Sequence, residues 1–160
     1  MIKEGDKLPD ATFQTPSADG PQEVTVSGLF AGKRAVLFGV PGAFTPTCHA
    51  NHLPGYVTHL DALKAKGVDF VACVAVNDIF VVSAWAEATG AGGAITMLAD
   101  GSGAFAKAMG LELDLSAFGL GMRQKRFAAI IEDGVVAKLM IEDTPATADA
   151  SGAEAVLAAL

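Results

Sequence analysis

The chain has 160 residues, 51% of them hydrophobic and 18% charged, with a net charge of −7. This is the composition of one folded domain with its own core, and it excludes a disordered segment. Eleven basic residues against eighteen acidic ones, with no basic run, argue against nucleic acid or an anionic membrane surface as a partner.

The opening stretch MIKEGDKLPDATF has no apolar leader and no cleavage site. No segment approaches the ~18 consecutive apolar residues that span a bilayer. The chain is therefore expected to be cytoplasmic, with residues 1–160 forming a single domain. Residues 14–23 (QTPSADGPQE) are polar and turn-rich, which predicts a surface loop or hairpin. Ala35–Val40 is a short apolar run ended by Pro41-Gly42 and reads as a buried strand. From Thr45 to about Lys66, apolar residues recur every three or four positions at Leu53, Val57, Leu60 and Leu63, so a helix is expected. Pro54 should kink it, and Gly67 should close it.

Phe70–Val76 reads as a second buried strand and Phe80–Thr89 as a helix capped by Asn77 or Asp78. Ala94–Ala99 is a third strand, turned out at Asp100-Gly101, and Ala104–Met109 a short helix. Arg126–Glu132 and Val135–Ile141 are strands joined at Asp133-Gly134, a strong hairpin signal. Ser151–Leu160 closes the chain as a helix. Alternating strands and helices predict an α/β layered domain with a mostly parallel sheet and an antiparallel hairpin at one side. A thioredoxin-like fold, a central mixed β-sheet flanked by helices, fits this order.

The chemistry concentrates in PGAFTPTC, Pro41 to Cys48, which follows a strand and opens a helix. Thr45 has the side chain of an N-cap, and Pro46 at the first helical position loses nothing by lacking an N–H. Cys48 then falls in the first helical turn, where free N–H groups and the positive end of the helix dipole favour an anion. The thiolate is the reactive form of cysteine, so position alone marks Cys48 as a nucleophile. The bland alternative is a buried thiol packed as a small hydrophobe. That reading is preferred for the other cysteine, Cys73, which lies inside the apolar strand FVACVAV. Two cysteines without a Cys-x-x-Cys or His cluster do not make a four-coordinate metal site.

His49 and His52 flank Cys48, and a Cys/His pair could serve a hydrolase. No orienting group or oxyanion hole accompanies them, so His52 is read as a packing or hydrogen-bonding residue and His59 as a surface residue. Phe44, Phe80, Trp85, Phe118 and Leu120 are read mostly as core, and Leu111–Gly121 could line a pocket mouth.

PGAFTPTC resembles the P-x-x-x-T-x-x-C signature of peroxiredoxins. Followed by HLPGY at His52–Tyr56, it is similar to their type II, peroxiredoxin-5-like subfamily. The likeness continues through Gly67–Asp69, Val76–Asp78, Trp85 and Lys125–Phe127. It implies a thiol-dependent, antioxidant peroxidase of hydrogen peroxide and organic hydroperoxides, acting in cell redox homeostasis. Cys48 would cycle between thiolate and sulfenic acid, Thr45 would bond the peroxide, Pro41 would shield the sulfur, and Arg126 would be the distal arginine, with Arg123 its nearest competitor. No metal, haem or nucleotide cofactor is implied. Some relatives carry a resolving cysteine near the C-terminus, but Thr144–Gly152 holds none. This leaves a one-cysteine cycle in which glutathione with glutaredoxin, or thioredoxin, restores Cys48. Cys73 is then a structural thiol, or else a resolving one. The resemblance also implies a homodimer, with Phe44 and Phe80 near its contact. The competing function is a non-catalytic binding or chaperone module on the same fold.

Overall fold

The computed structural model describes residues 1–160. Thr12–Thr15 (β1) and Gln22–Thr25 (β2) form a hairpin around the polar loop, followed by the short helix Val26–Phe30 (α1). Arg34–Val40 (β3) leads to the motif and its helix, and Phe70–Ala75 (β4) follows. Next come Ile79–Thr89 (α4), Thr96–Ala99 (β5) and Ala104–Met109 (α5). Glu112–Asp114 (β6) and Met122–Gln124 (β7) pair as a small separate ribbon around a 3₁₀ turn at Ser116–Phe118. Phe127–Glu132 (β8), Val135–Ile141 (β9) and Ala153–Ala159 (α6) complete the chain.

The main sheet has the order β2-β1-β5-β4-β3-β8-β9. The fold is thioredoxin-like, as expected, but the sheet is not mostly parallel. Only β3 with β4 and β4 with β5 run parallel; β1–β2, β1–β5, β3–β8 and β8–β9 are antiparallel. The N-terminal hairpin extends the β5 side, and its strands carried no apolar signal. β1 buries only Phe13, and β2 buries nothing.

Strands β3 and β4 are covered on both faces, which accounts for their uninterrupted apolar runs. Val36, Phe38, Val40, Val71 and Cys73 face one core layer with Cys48, Tyr56 and Trp85. Ala35, Leu37, Ala72 and Val74 face the other, with Phe13, Phe105 and Phe127. Asp78, not Asn77, caps α4, with its carboxylate accepting from Val81 N at 2.9 Å. The β8–β9 hairpin turns on Asp133 and Gly134, both at positive φ (50° and 76°), the twist-matched geometry that an Asp-Gly pair supplies.

The helix expected over Thr45–Lys66 is divided. Pro46 and Thr47 begin it, Cys48–His52 form a π turn, and Leu53–Thr58 (α2) and Leu60–Ala65 (α3) follow, with a break at His59. Leu53 N bonds Cys48 O, five residues back. Pro54 has no N–H to continue an ordinary ladder, and the widened turn sits immediately before it.

The expectation of core phenylalanines fails for three of them. Phe44, Phe80 and Phe118 are 48%, 76% and 77% exposed, whereas Trp85 is buried and Leu120 partly so. In α4 the buried face is Ile79, Val82, Trp85 and Ala86, which puts Phe80 on the opposite side.

Gly39 of β3 stands opposite Phe127 of β8, and a Cβ there would collide with the Phe127 ring. Gly39→Ala is expected to destabilise the domain by roughly 1–3 kcal/mol through overpacking. A urea titration checks this as a lower midpoint at unchanged slope.

Candidate active site

The loop after β3 is held both by its own hydrogen bonds, from Thr45 to Gly42 O, and by its neighbours. Ala43 N donates to Asn77 Oδ1 at 2.9 Å, so the Asn77 side chain ties the motif to the end of β4. Phe44 has φ 63°, an uncommon left-handed conformation for a bulky residue, and its ring stacks on His49 at 5.6 Å. That conformation turns the chain into the helix. Thr45 O then accepts from His49 N at 2.9 Å, the first bond of the helix, and leaves Cys48 in the opening turn.

The Thr45 side chain has a different role from the expected cap. Its hydroxyl lies 2.9 Å from Cys48 Sγ and 2.7 Å from Gly42 O. With one proton to give, it bonds one of these at a time.

Arg126 arrives from the start of β8, 78 positions away in sequence. Its Nη2 donates to Cys48 Sγ at 3.0 Å and to Pro145 O at 2.9 Å, and its Nε to Pro145 O at 3.2 Å. Its Nη1 lies 3.0 Å from His52 Nδ1. A guanidinium only donates, so Nδ1 is the acceptor and the His52 proton sits on Nε2. Nε2 then donates to Ser151 O at 2.9 Å, a carbonyl that also takes the Tyr56 hydroxyl at 2.6 Å. Burial drives the His52 pKa down to about 4, and the Arg126 charge adds to this against the pull of Ser151. His52 is thus a neutral support for the arginine, and both its nitrogens are engaged away from the sulfur.

Behind Ser151 stands Glu142. Its carboxylate accepts from Ser151 N (2.8 Å), Ser151 Oγ (2.9 Å) and Thr147 Oγ1 (3.1 Å). Burial pushes its pKa up, but the bonds from Ser151 and Thr147 outweigh that and hold it below the usual carboxylate range. Tyr56, Glu142, Pro145 and Ser151 carry no local sequence signal of a site. Only the His52 position, one turn beyond Cys48, was visible.

Pro41, Thr45 and Arg126 line one side of an apolar mouth of about 310 Å³. Leu115, Phe118 and Leu120 are among its other lining residues, so the Leu111–Gly121 segment does border it. Its lining thus includes Thr45 and the largely buried Arg126, the two donors to a sulfur which is itself fully buried. Arg123, the competing arginine, bonds Leu120 O at 2.8 Å and Pro41 O at 3.3 Å and does not reach Sγ. Cys73 is buried in mid-strand. Burial, and secondarily the nearby Cys48, pushes its thiol well above the ordinary range. A cysteine at a helix start, held between a hydroxyl and a guanidinium, can attack an electrophilic oxygen while both donors receive the charge that leaves.

The family model described as Redoxin matches residues 3–157. Peroxiredoxin-2E of Arabidopsis thaliana, named chloroplastic, is 47% identical over 99% of this chain and 69% of its own length. Peroxiredoxin-2E-2 of Oryza sativa subsp. japonica, also named chloroplastic, is 51% identical over 99% of this chain and 72% of its own length. The crystal structure of reduced Prx3 from Vibrio vulnificus in complex with hydrogen peroxide superposes with a TM-score of 0.94 at 52% identity, covering 99% of each chain. The chloroplastic names overturn the expectation of a cytoplasmic protein. That expectation was drawn from the lack of apolar targeting and spanning signals, and the same domain is found in proteins named for an organelle.

The His52 pKa sets a pH dependence of stability. Unfolded, His52 binds its proton near pH 6.5; folded, it does so only near pH 4. Between these values the unfolded state holds more protons, so stability falls as pH falls. The unfolding free energy should drop by about 3 kcal/mol more between pH 7 and pH 4 in the wild type than in His52→Gln. Denaturant titrations of both proteins at the two pH values measure this difference.

Proposed function

Since the chain belongs to the Redoxin family and is a peroxiredoxin, a thiol peroxidase that consumes peroxide and a thiol reductant, we propose that Cys48 is its peroxidatic cysteine, with Thr45 and Arg126 as catalytic donors and Pro41 as the shield. The observation that carries this is the pair of contacts on one sulfur, Arg126 Nη2 at 3.0 Å and Thr45 Oγ1 at 2.9 Å. The Cys48 thiolate attacks the terminal oxygen of R–O–O–H, and the S–O bond forms as the O–O bond breaks. Negative charge develops on the leaving RO oxygen, which Arg126 and Thr45 face. One proton completes the products, Cys48–SOH and ROH. Hydrogen peroxide is a natural first substrate, since the Vibrio relative is described in complex with it. The apolar mouth also admits organic hydroperoxides.

Recovery follows a one-cysteine cycle. An outside thiol displaces water from the sulfenic acid to form a mixed disulfide, and a second thiol releases Cys48 as the free thiol. Glutathione with glutaredoxin, or thioredoxin, supplies these thiols. The reading is supported by the absence of cysteine from Thr144–Gly152 and by the high pKa of the buried Cys73, which keeps that thiol protonated and weakly nucleophilic. Residues 1–160 act as one domain. Exposed Phe44 and Phe80 support a homodimer formed through that side of the molecule.

Cys48→Ser is expected to abolish peroxide turnover, and Cys73→Ser to keep more than about half of it with a glutathione–glutaredoxin system. A Cys73→Ser protein that consumes one equivalent of peroxide and then fails to recycle with any external thiol would defeat the one-cysteine cycle. Sedimentation at micromolar concentration should give a dimer, shifted toward monomer by Phe80→Asp. A wild type that sediments only as monomer would reject the dimer.

A further inference from the structure

Two carbonyls orient Arg126, directly or through a neighbour. Pro145 O takes Nε and Nη2, and Ser151 O holds His52, whose Nδ1 takes Nη1. Both carbonyls lie in the segment between β9 and α6. It has no strand or helix of its own, and Ala146 O within it is tied to the helix start by Thr47 Oγ1 at 3.0 Å.

Glu142 stands at the base of this segment. Its two carboxylate oxygens collect three donors, Ser151 N and Ser151 Oγ from the far end and Thr147 Oγ1 from the middle. Its own N–H donates to Arg126 O at 3.0 Å, which registers it against the arginine's backbone. The carboxylate forms no ion pair. Its side-chain partners all belong to the loop, and charge-assisted bonds of this kind are the strong ones.

We infer that Glu142 is a positioning residue for the peroxide step: it closes the loop whose Pro145 and Ser151 carbonyls aim Arg126 at Cys48 Sγ. This rests on the assignment of Cys48 and Arg126 above. Without the clamp, Pro145 O and Ser151 O lose their fixed places, and the guanidinium loses the geometry in which it meets the leaving oxygen. A displacement of about 1 Å at such a donor is enough to cost on the order of a hundredfold in rate.

The test compares two reactions of the same sulfur. Hydrogen peroxide and iodoacetamide both consume the Cys48 thiolate, so the ratio of their rate constants cancels the amount of thiolate present. Only the peroxide step needs a donor at a leaving oxygen. In stopped flow, Glu142→Ala should lower the peroxide-to-iodoacetamide ratio by at least about tenfold. Glu142→Gln, which keeps an acceptor oxygen for Ser151 N, should recover most of that loss. A wild-type ratio in Glu142→Ala overturns the inference, as does a Glu142→Gln protein no better than Glu142→Ala. Should Glu142→Ala fail to fold by circular dichroism, the double variant Thr147→Ala/Ser151→Ala removes two of the three donors. A fall of about threefold or more supports the clamp, and an unchanged ratio rejects it. Cys48→Ser serves as the control. If it still consumed peroxide, the assignment of Cys48 would fail; if it is inert while Glu142→Ala keeps its ratio, only the role of Glu142 fails.

Discussion

A buried guanidinium organises this site. Arg126 is 2% exposed, and a charge held out of water is tolerable only when its donors are engaged. Arginine cannot shed its proton, so the surroundings must accept. They do so with Pro145 O, His52 Nδ1 and Cys48 Sγ. No carboxylate touches the guanidinium. Of its hydrogen-bond partners, only the sulfur can carry a full negative charge. The demand that makes the arginine costly to bury is thus answered by the sulfur proposed to react.

The rest follows outward from that demand. His52 must be neutral to accept from Nη1, and burial keeps it so. Its remaining proton then needs an acceptor, which is Ser151 O, a carbonyl that also accepts from the Tyr56 hydroxyl. Ser151 in turn is held by Glu142. Each contact settles the protonation or direction of the next, and such a chain of buried polar groups holds only when every member is satisfied. The side of Cys48 facing Thr45 is simpler. One hydroxyl proton can be directed to Gly42 O or to the sulfur as the reaction requires.

The sequence made some of this readable and concealed the rest for physical reasons. Strands β3 and β4 announce themselves because both faces are buried, and the Asp133-Gly134 turn because its backbone needs residues that tolerate positive φ. Cys48 was legible because helix-start chemistry is local and Pro41–Cys48 contains all of it. Arg126 was identified through family resemblance, since a partner 78 positions away leaves no mark in the spacing of the motif. Glu142 and Ser151 left none at all, because a carboxylate bonding a nearby loop looks like any polar surface residue. The polar turn within residues 14–23 pointed to a loop or hairpin, but strands β1 and β2 and the ribbon β6–β7 are too short and too exposed to show alternation.

The two cysteines differ in position and in partners, not in residue type or burial. Both thiols are buried, and both face the same core layer. Cys73 sits in mid-strand between Ala72 and Val74, where burial, and secondarily the nearby Cys48, raises its pKa and no donor meets its sulfur. Cys48 is equally removed from water, yet it stands at a helix opening with a hydroxyl and a guanidinium on its sulfur. Burial without donors makes a thiol inert; burial with donors strengthens each contact that a developing negative charge can make. The loop after β3, with its left-handed Phe44 and the π turn that follows, converts the first situation into the second.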